Sequence, residues 1–217
     1  QAKQLFEAWK YSCMLHGYNP RNTTQMPRLF AIDQALNWEH GQHFDLDEMT
    51  KDYAKNIENA LKSCLPSTDC REKKLIDAMA YSLEAGGKRV RPYLVFSFNS
   101  LCGGSEESAT AFACAVEMIH TYSLIHDDLP CMDNDDLRRG KPSNHKVFGE
   151  DIALLAGDAL LTLAFETLTN EKTVKICGTS ACCRGVSVLS KYAGATGMIG
   201  GQVIDLMSEN TNAPIEV

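Results

Sequence analysis

Several classes of protein are excluded by what this sequence lacks. No run of eighteen apolar residues occurs, and the most apolar segment, 152–165, is interrupted by Gly157 and Asp158, so we expect no membrane span. No basic tail or stripe is present, and the formal net charge is −7, which argues against nucleic acid as a partner. The nine cysteines include no Cys-x-x-Cys pair, which argues against a zinc ribbon.

The cysteines also indicate a cellular compartment. Several of them occupy apolar positions of helical patterns, where a reduced thiol packs as a small apolar group. Reduced thiols persist in reducing, intracellular compartments. We therefore expect a cytoplasmic protein.

The chain has 217 residues, of which 44% are hydrophobic, and this is enough for one domain with a sizeable core. From about residue 45, apolar residues recur every three or four positions and almost nothing alternates with period two. Asp69 and Glu72 have the spacing of a capping box at a helix start. The sequence predicts an all-α fold, with helices before Pro66, before Gly86-Gly87, near Pro92, at about 105–128, 150–169 and 173–193, and after Gly197.

Residues 1–43 differ from the rest of the chain. They contain both tryptophans and a turn-rich stretch, and their helical pattern is weaker, so we treat them as a separate segment of unknown role. His40 and His43 are either a metal pair or a surface histidine pair, and we favour the surface pair. The chain begins with Gln, and we expect it to be a fragment rather than a processed protein.

The segment after the long helix carries the most chemical information. Five carboxylates lie within the ten residues 127–136, and Arg138 and Arg139 follow directly. An exposed acidic turn is the simplest reading, but this cluster ends a strongly apolar helix and is followed at once by cations. Grouped carboxylates suit Mg²⁺, which binds a few carboxylates together with phosphate oxygens. Paired arginines suit the phosphates themselves.

A second cationic cluster lies upstream at Lys88, Arg89 and Arg91, after Gly86-Gly87. It is not a nucleotide-binding P-loop, because the Gly-Lys-Ser/Thr spacing is absent. It is either a solvated helix end or a second phosphate site. His120, seven residues before Asp127, lies on the same helix face and is either a core histidine or a substrate contact.

These motifs resemble those of the trans isoprenyl diphosphate synthases. The resemblance rests on Gly-Gly-Lys-Arg-Val-Arg-Pro at 86–92 and on Asp-Asp-x-x-x-x-Asp with Leu-Arg-Arg-Gly at 127–140. It continues through His-Lys-Val-Phe-Gly-Glu at 145–150, Ala-Gly-Asp-Ala-Leu-Leu at 156–161 and the Gly197–Leu206 region. Residues 44–217 are therefore identified as a synthase domain of this family.

The resemblance implies an all-α bundle around a deep cavity, usually a homodimer, that condenses isopentenyl diphosphate with an allylic diphosphate. By position, Asp127 and Asp133 would bind Mg²⁺, Asp128 would support them, and Arg138 would contact the allylic diphosphate. The residues that would hold isopentenyl diphosphate are Lys88, Arg91, His120 and Arg139. Cys131 lies inside the motif, but this chemistry needs no nucleophile, so we interpret it as a spacer.

The family's product length depends on residues four and five positions before the first Asp, which are Ser123 and Tyr122 here. An aromatic residue there resembles bacterial farnesyl diphosphate synthases, whereas plant geranylgeranyl diphosphate synthases tend to carry a smaller residue. We predict a C15 product, with geranylgeranyl diphosphate as the alternative. The alternative interpretation of Tyr122 is a buried residue that simply fills the core.

The chain departs from the family pattern in one respect. The family's second aspartate-rich motif, and the Lys-Thr pair before it, do not occur before Val217, so we expect the synthase domain to be incomplete. A non-catalytic partner subunit is an alternative, but such subunits usually lose the first acidic motif, which is intact here. A terpene cyclase would lack the Gly-Gly-Lys-Arg-x-Arg cluster, because it binds a single diphosphate.

Overall fold

The computed structural model describes residues 46–208, with side chains from residue 53 onward. Residues 1–43, including His40 and His43, lie outside the described residues. Over the described range the predicted all-α architecture is confirmed, and one short hairpin is added to it. The helices are α1 (Leu46–Cys64), α2 (Lys73–Leu83), α3 (Val90–Leu101), α4 (Glu106–Asp127), α5 (Asn144–Phe148), α6 (Glu150–Thr169), α7 (Glu171–Cys177), α8 (Thr179–Ala193) and α9 (Met198–Ser208). The strands are β1 (Leu137–Arg138) and β2 (Lys141–Pro142).

The long helix α4 begins and ends where its sequence predicts. Ser105 is its N-cap, and the Ser105 side chain accepts a hydrogen bond from the Ser108 backbone N–H. Glu106 and Glu107 occupy the first turn, where negative charge is favourable. The helix continues to Asp127 with Asp128 as its C-cap, so the acidic motif starts at a well-defined helix end.

Two predicted helix boundaries were wrong. Helix α2 begins at Lys73 with Glu72 as its N-cap and no side-chain capping bond, and Asp69 lies too far upstream to cap it. The Asp69 backbone N–H instead donates to the Ser67 hydroxyl at 3.2 Å. The run predicted at 173–193 is divided at Gly178, whose φ of +80° only glycine adopts easily, into α7 and α8.

The core forms chiefly where α4 packs against α6, with α1, α2 and α3 closing around them. Alanines on both helices, including Ala113, Ala115, Ala153 and Ala156, are fully buried and let the two backbones approach closely. Larger side chains complete the core at Ile57, Leu61, Leu83, Met118, Leu160 and Leu168. Burial of each large side chain contributes about 1.5–3 kcal/mol before entropy is counted.

Helix α6 is long and apolar enough to cross a membrane, judged by length and composition alone. In this fold, however, 44% of its apolar window is buried among the other helices. An apolar helix at the centre of a helical bundle meets the same criteria, so this property is weak evidence for a membrane span.

The hairpin β1–β2 lies between the acidic motif and α5, and the sequence pattern did not predict it. Leu137 pairs with Pro142 and Arg138 with Lys141, so the turn consists of Arg139 and Gly140. Both turn residues have positive φ, +54° and +76°, as a two-residue hairpin turn requires. The Tyr81 hydroxyl donates to the Pro142 carbonyl at 2.8 Å and ties the hairpin to α2.

Candidate functional site

The acidic motif forms a compact turn at the end of α4. The Asp133 backbone N–H donates to the Asp127 carbonyl at 2.9 Å, which brings these two predicted metal ligands back to the same helix end. Asn134 has a φ of +53° and its N–H donates to the Leu129 carbonyl at 3.1 Å. Its own backbone hydrogen bonds therefore organise the turn.

Asp127 is placed among other carboxylates. Burial raises its pKa above the usual value, and the charges of Asp133, Asp128 and Asp135 raise it further, while Arg138 lowers it. Its Oδ1 accepts a hydrogen bond from Gln202 Nε2 of α9 at 2.9 Å. A carboxylate whose ionised form is disfavoured by neighbouring anions gains from a bound cation, which is the electrostatic property of a metal ligand.

Asp128 behaves differently from Asp127. It is buried, and it accepts hydrogen bonds from Nε of Arg138, at 2.9 Å, and from Nη2 of the same guanidinium. Arg138 Nη2 also donates to Asp135 at 3.0 Å. The hydrogen bonding of Arg138 to the Asp128 carboxylate is the main cause that raises the pKa of Arg138. Asp128 thus orients Arg138 beside Asp127, and its role in support of the metal ligands stays a prediction.

Arg139, the next residue, serves a different part of the molecule. Its guanidinium donates to the Gly86 carbonyl, 53 residues earlier in the chain. Gly87 lies so close that a Cβ there would stand 2.6 Å from Arg139 Nη1. A side chain at this position would have to displace the guanidinium, and the φ of +133° at Gly87 also favours glycine.

Arg139 belongs to a cationic group with Lys88, Arg91 and His120. Lys88 lies between α2 and α3 and Arg91 in the first turn of α3, and both are exposed, whereas His120 is half-buried on α4. Burial lowers the pKa of His120, and the positive charges of Arg91 and Arg139 lower it further, so its imidazole is neutral at pH 7. The charges of Arg91 and Arg139 therefore both act on His120, and Lys88 lies three residues before Arg91 in the chain.

A mostly apolar cavity of about 460 Å³ opens beside the acidic motif, between α4, α6 and α9. Asp127 contributes to its wall, and so do both predicted chain-length residues, Tyr122 and Ser123. Tyr122 is buried, and its ring meets the His126 ring edge-on with centroids 5.6 Å apart. The apolar lining comes from Leu129, Met132, Leu154, Leu161, Met198 and Ile199.

The site fits a magnesium ion delivered together with a phosphate ligand. Among the described residues, no group of three or more His, Cys, Asp or Glu side chains is arranged to hold a metal by itself. Asp127 and Asp133 offer two carboxylates, and Mg²⁺ commonly uses one or two carboxylates plus phosphate oxygens and water. The roles of the individual ligands stay predictions.

Comparison with known proteins assigns the family. Residues 72–216 match the polyprenyl synthetase family model. The chain belongs to the polyprenyl synthetase family. This match confirms the resemblance on which the sequence analysis relied. Solved structures of similar proteins support the all-α fold as well. A solved FPP/GFPP synthase from Zymomonas mobilis superposes with a TM-score of 0.73 at 43% identity, covering 78% of this chain and 60% of that one.

Curated family members are similar over much of this chain. A heterodimeric geranylgeranyl pyrophosphate synthase large subunit from the chloroplast of Arabidopsis thaliana is 53% identical over 82% of this chain and 47% of its own length. The farnesyl diphosphate synthase of Bacillus subtilis is 49% identical over 79% of this chain and 57% of its own length. The chain thus spans about half the length of the curated relatives it matches.

Sequence reasoning missed several residues of this polyprenyl synthetase site. Gln202, whose side chain donates to Asp127, lies in the Gly197–Leu206 region of the resemblance, but the sequence assigned it no role. The partnership of Arg89 with Glu117 and the contact of His126 with Gly157 were not foreseen. Each pair joins residues 28 or more positions apart, so only helix packing reveals them.

The contact of His126 with Gly157 generates a prediction. His126 Nε2 lies 3.0 Å from the Leu154 carbonyl, and a Cβ at Gly157 would overlap the imidazole ring. Because the ring also rests against Tyr122, it cannot move aside freely. We expect Gly157→Ala to lower the free energy of unfolding by about 1–3 kcal/mol through overpacking, measured by chemical denaturation.

Gly201→Ala is the matched control, because a Cβ at this position in α9 meets nothing within 4 Å. Alanine is the better helix former by roughly 0.5–1 kcal/mol, so this variant should be neutral or slightly stabilised. Equal stability of the two variants would show that His126 yields without cost.

Proposed function

We propose that this chain is part of a magnesium-dependent trans-prenyltransferase that joins isopentenyl diphosphate to an allylic diphosphate. One observation carries the proposal. The two consecutive arginines of the hairpin belong to different groups. Arg138 lies in the acidic group, formed by the carboxylates of residues 127–136, and Arg139 lies in the cationic group with Arg91. Two sites of different charge suit two diphosphates, one bound through a metal and one bound by cations alone.

The acidic group would bind the allylic diphosphate. Mg²⁺ held by Asp127 and Asp133 would neutralise the charge that develops on the departing diphosphate. Arg138, oriented by Asp128, donates hydrogen bonds to the same oxygens as the carbon–oxygen bond breaks. The apolar cavity beside Asp127 accepts the prenyl chain and keeps water away from the electron-poor carbon.

The cationic group would bind the diphosphate of isopentenyl diphosphate. Lys88, Arg91 and Arg139 supply charge, and the neutral imidazole of His120 can donate one hydrogen bond. The alkene of this substrate forms the new carbon–carbon bond with the allylic carbon as the carbon–oxygen bond to diphosphate breaks, and the released diphosphate takes up the proton lost from the former isopentenyl unit. No protein nucleophile is required, so Cys131 has no chemical role in the proposal.

The metal site is tested by Asp127→Ala. We expect a loss of at least about 100-fold in kcat, since several kcal/mol of transition-state stabilisation would disappear and each ~1.4 kcal/mol is tenfold. EDTA should abolish the wild-type reaction in the same assay of radiolabelled isopentenyl diphosphate incorporation.

Asp136→Ala is the control, because Asp136 belongs to the same cluster but is exposed and paired with Lys146 at 2.7 Å. It should retain activity within a few-fold of wild type. Turnover that survives EDTA, or equal losses in the two variants, would contradict the proposed metal site.

We propose farnesyl diphosphate as the product, with Tyr122 as the steric limit on chain length. Its buried ring lines the cavity one turn before Asp127, and its hydroxyl has no hydrogen-bond partner among the described residues. Because the hydroxyl has no such partner, the side chain shapes the cavity through the volume of its ring. The alternative product is geranylgeranyl diphosphate, favoured by the plant relative that is 53% identical over 177 residues.

Removal of that volume should lengthen the product. We expect Tyr122→Ala to shift chromatographic products from C15 toward C20, whereas Tyr122→Phe, which keeps the ring, should leave the distribution unchanged. A C20 product from the unmodified protein would establish the alternative. An unchanged profile for Tyr122→Ala would make the side chain core filler.

The non-catalytic subunit and the terpene cyclase are weaker proposals. The acidic motif is intact and arranged in a turn, which favours catalysis over a purely regulatory role. The cationic group around Arg91 would have no substrate to bind in a cyclase that takes one diphosphate. A measurement of isopentenyl diphosphate binding separates these alternatives from the synthase, because we expect only the synthase to bind it.

We propose that the protein forms a homodimer. Val90, Leu94, Phe98 and Leu101 form an exposed apolar stripe along α3, and Phe98 is 63% exposed. Such a stripe is typical of a surface that another chain covers. Analytical ultracentrifugation should give a dimer, and Phe98→Glu should weaken it; a wild-type monomer would contradict the proposal.

A cytoplasmic location also stays a proposal. Its support is that the eight cysteines in the described part of the chain are free thiols. The Arabidopsis relative is chloroplastic by name, and a fluorescent fusion would separate the two compartments.

A further inference from the structure

A buried ion pair lies within the segment that carries the cationic group. Arg89 Nη1 donates to Glu117 Oε1 at 2.5 Å, and the two side chains are only 2% and 3% exposed. The neighbours of Arg89 in sequence, Lys88 and Arg91, are exposed and belong to the cationic group. One cation of the Lys-Arg-Val-Arg segment thus points into the core while the other two face solvent.

Arg89 also holds the backbone of this segment. It has a left-handed conformation with φ +49° and ψ +32° at the N-cap of α3, which costs a non-glycine residue roughly 1 kcal/mol or more. Its Nη2 donates to the Leu83 carbonyl, at the end of α2, at 2.7 Å. The guanidinium therefore links the end of α2, the start of α3 and Glu117 of α4 at one point.

Glu117 reaches the cationic group from the other side. It lies three residues before His120 on α4, so the two side chains share a helix face. Its negative charge acts on His120 and on Arg139, where it opposes the repulsion from Arg89 and Arg91. A buried anion of this kind allows several cations to remain close together before a diphosphate arrives.

We propose that Arg89 and Glu117 are positioning residues that hold Lys88, Arg91, His120 and Arg139 in the geometry that binds isopentenyl diphosphate. The inference rests on the proposed function of this site. Neither residue touches the substrate; both act through the residues that do. The ion pair should therefore affect affinity for isopentenyl diphosphate and leave affinity for the allylic substrate almost unchanged.

A stabilising role alone is the competing explanation, and the physics of buried ion pairs separates the two. Removal of one partner leaves an unpaired charge in the core, whereas replacement of both by apolar residues of similar size is often neutral or stabilising. The double variant Arg89→Met/Glu117→Leu thus removes the pair without the cost of an orphan charge. A purely structural pair could be replaced in this way with no loss of ligand binding.

The experiment measures two affinities by isothermal titration calorimetry. Isopentenyl diphosphate is titrated without Mg²⁺, and geranyl diphosphate is titrated with Mg²⁺, while thermal melting checks the fold. For the double variant we expect a melting temperature close to wild type, at least a tenfold rise in Kd for isopentenyl diphosphate, and less than about a threefold change for geranyl diphosphate. A tenfold change in Kd corresponds to 1.4 kcal/mol.

Two further variants make the result decisive. Lys73→Met/Asp77→Leu removes an exposed ion pair, at 2.6 Å, on α2 and should change neither affinity. Arg89→Lys keeps both charges of the pair but gives up the hydrogen bond to the Leu83 carbonyl, so it tests the pair if the double variant fails to fold; it too should raise Kd for isopentenyl diphosphate selectively.

Unchanged affinity for isopentenyl diphosphate in the double variant would overturn the inference, and so would equal losses for both ligands. The proposed function fails in a different way, namely if the wild-type protein binds neither diphosphate. Wild-type binding together with a selective loss in the folded variant supports both.

Discussion

The close packing of α4 against α6 is the interaction on which the rest of the structure depends. Buried alanines on both helices bring the two backbones together, and the larger residues around them exclude water. This contact fixes the rotation of α4 about its axis. The side chains along this one helix therefore take defined directions. Glu117 and His120 lie toward the cationic group, Tyr122 lines the cavity, and Asp127 lies at the acidic turn.

Charge balance is the second constraint, because clustered like charges repel each other. In the acidic turn, Asp128 is neutralised by Arg138, which leaves Asp127 beside Asp133 with a raised pKa. In the cationic group, Glu117 neutralises Arg89 and moderates the field around His120. Each group thus keeps one pair of opposite charge, buried in the cationic group and part-buried in the acidic turn, and presents the remaining charges to a ligand.

The hairpin β1–β2, with two residues in each strand, connects these two groups. Arg138 ends β1, whereas Arg139 is the first residue of the turn, and its positive φ changes the direction of the chain between the two side chains. As a result, adjacent arginines bond to groups that are far apart in the chain, Asp128 on one side and Gly86 on the other. Neighbouring sequence positions serve two different sites for this reason.

The sequence by itself determined the helical class, the bounds of α4 and α6, the acidic motif and the family, because periodicity, caps and motif spacing are local properties. The sequence pattern wrongly predicted that α2 starts at Asp69, and it did not predict that Gly178 divides α7 from α8. Both features depend on the local backbone geometry, which composition does not specify. Only the tertiary structure decided which charges pair. Arg89 and Arg91 are alike in sequence, yet packing buries Arg89 against Glu117 and leaves Arg91 exposed, because the backbone turn between α2 and α3 directs them apart.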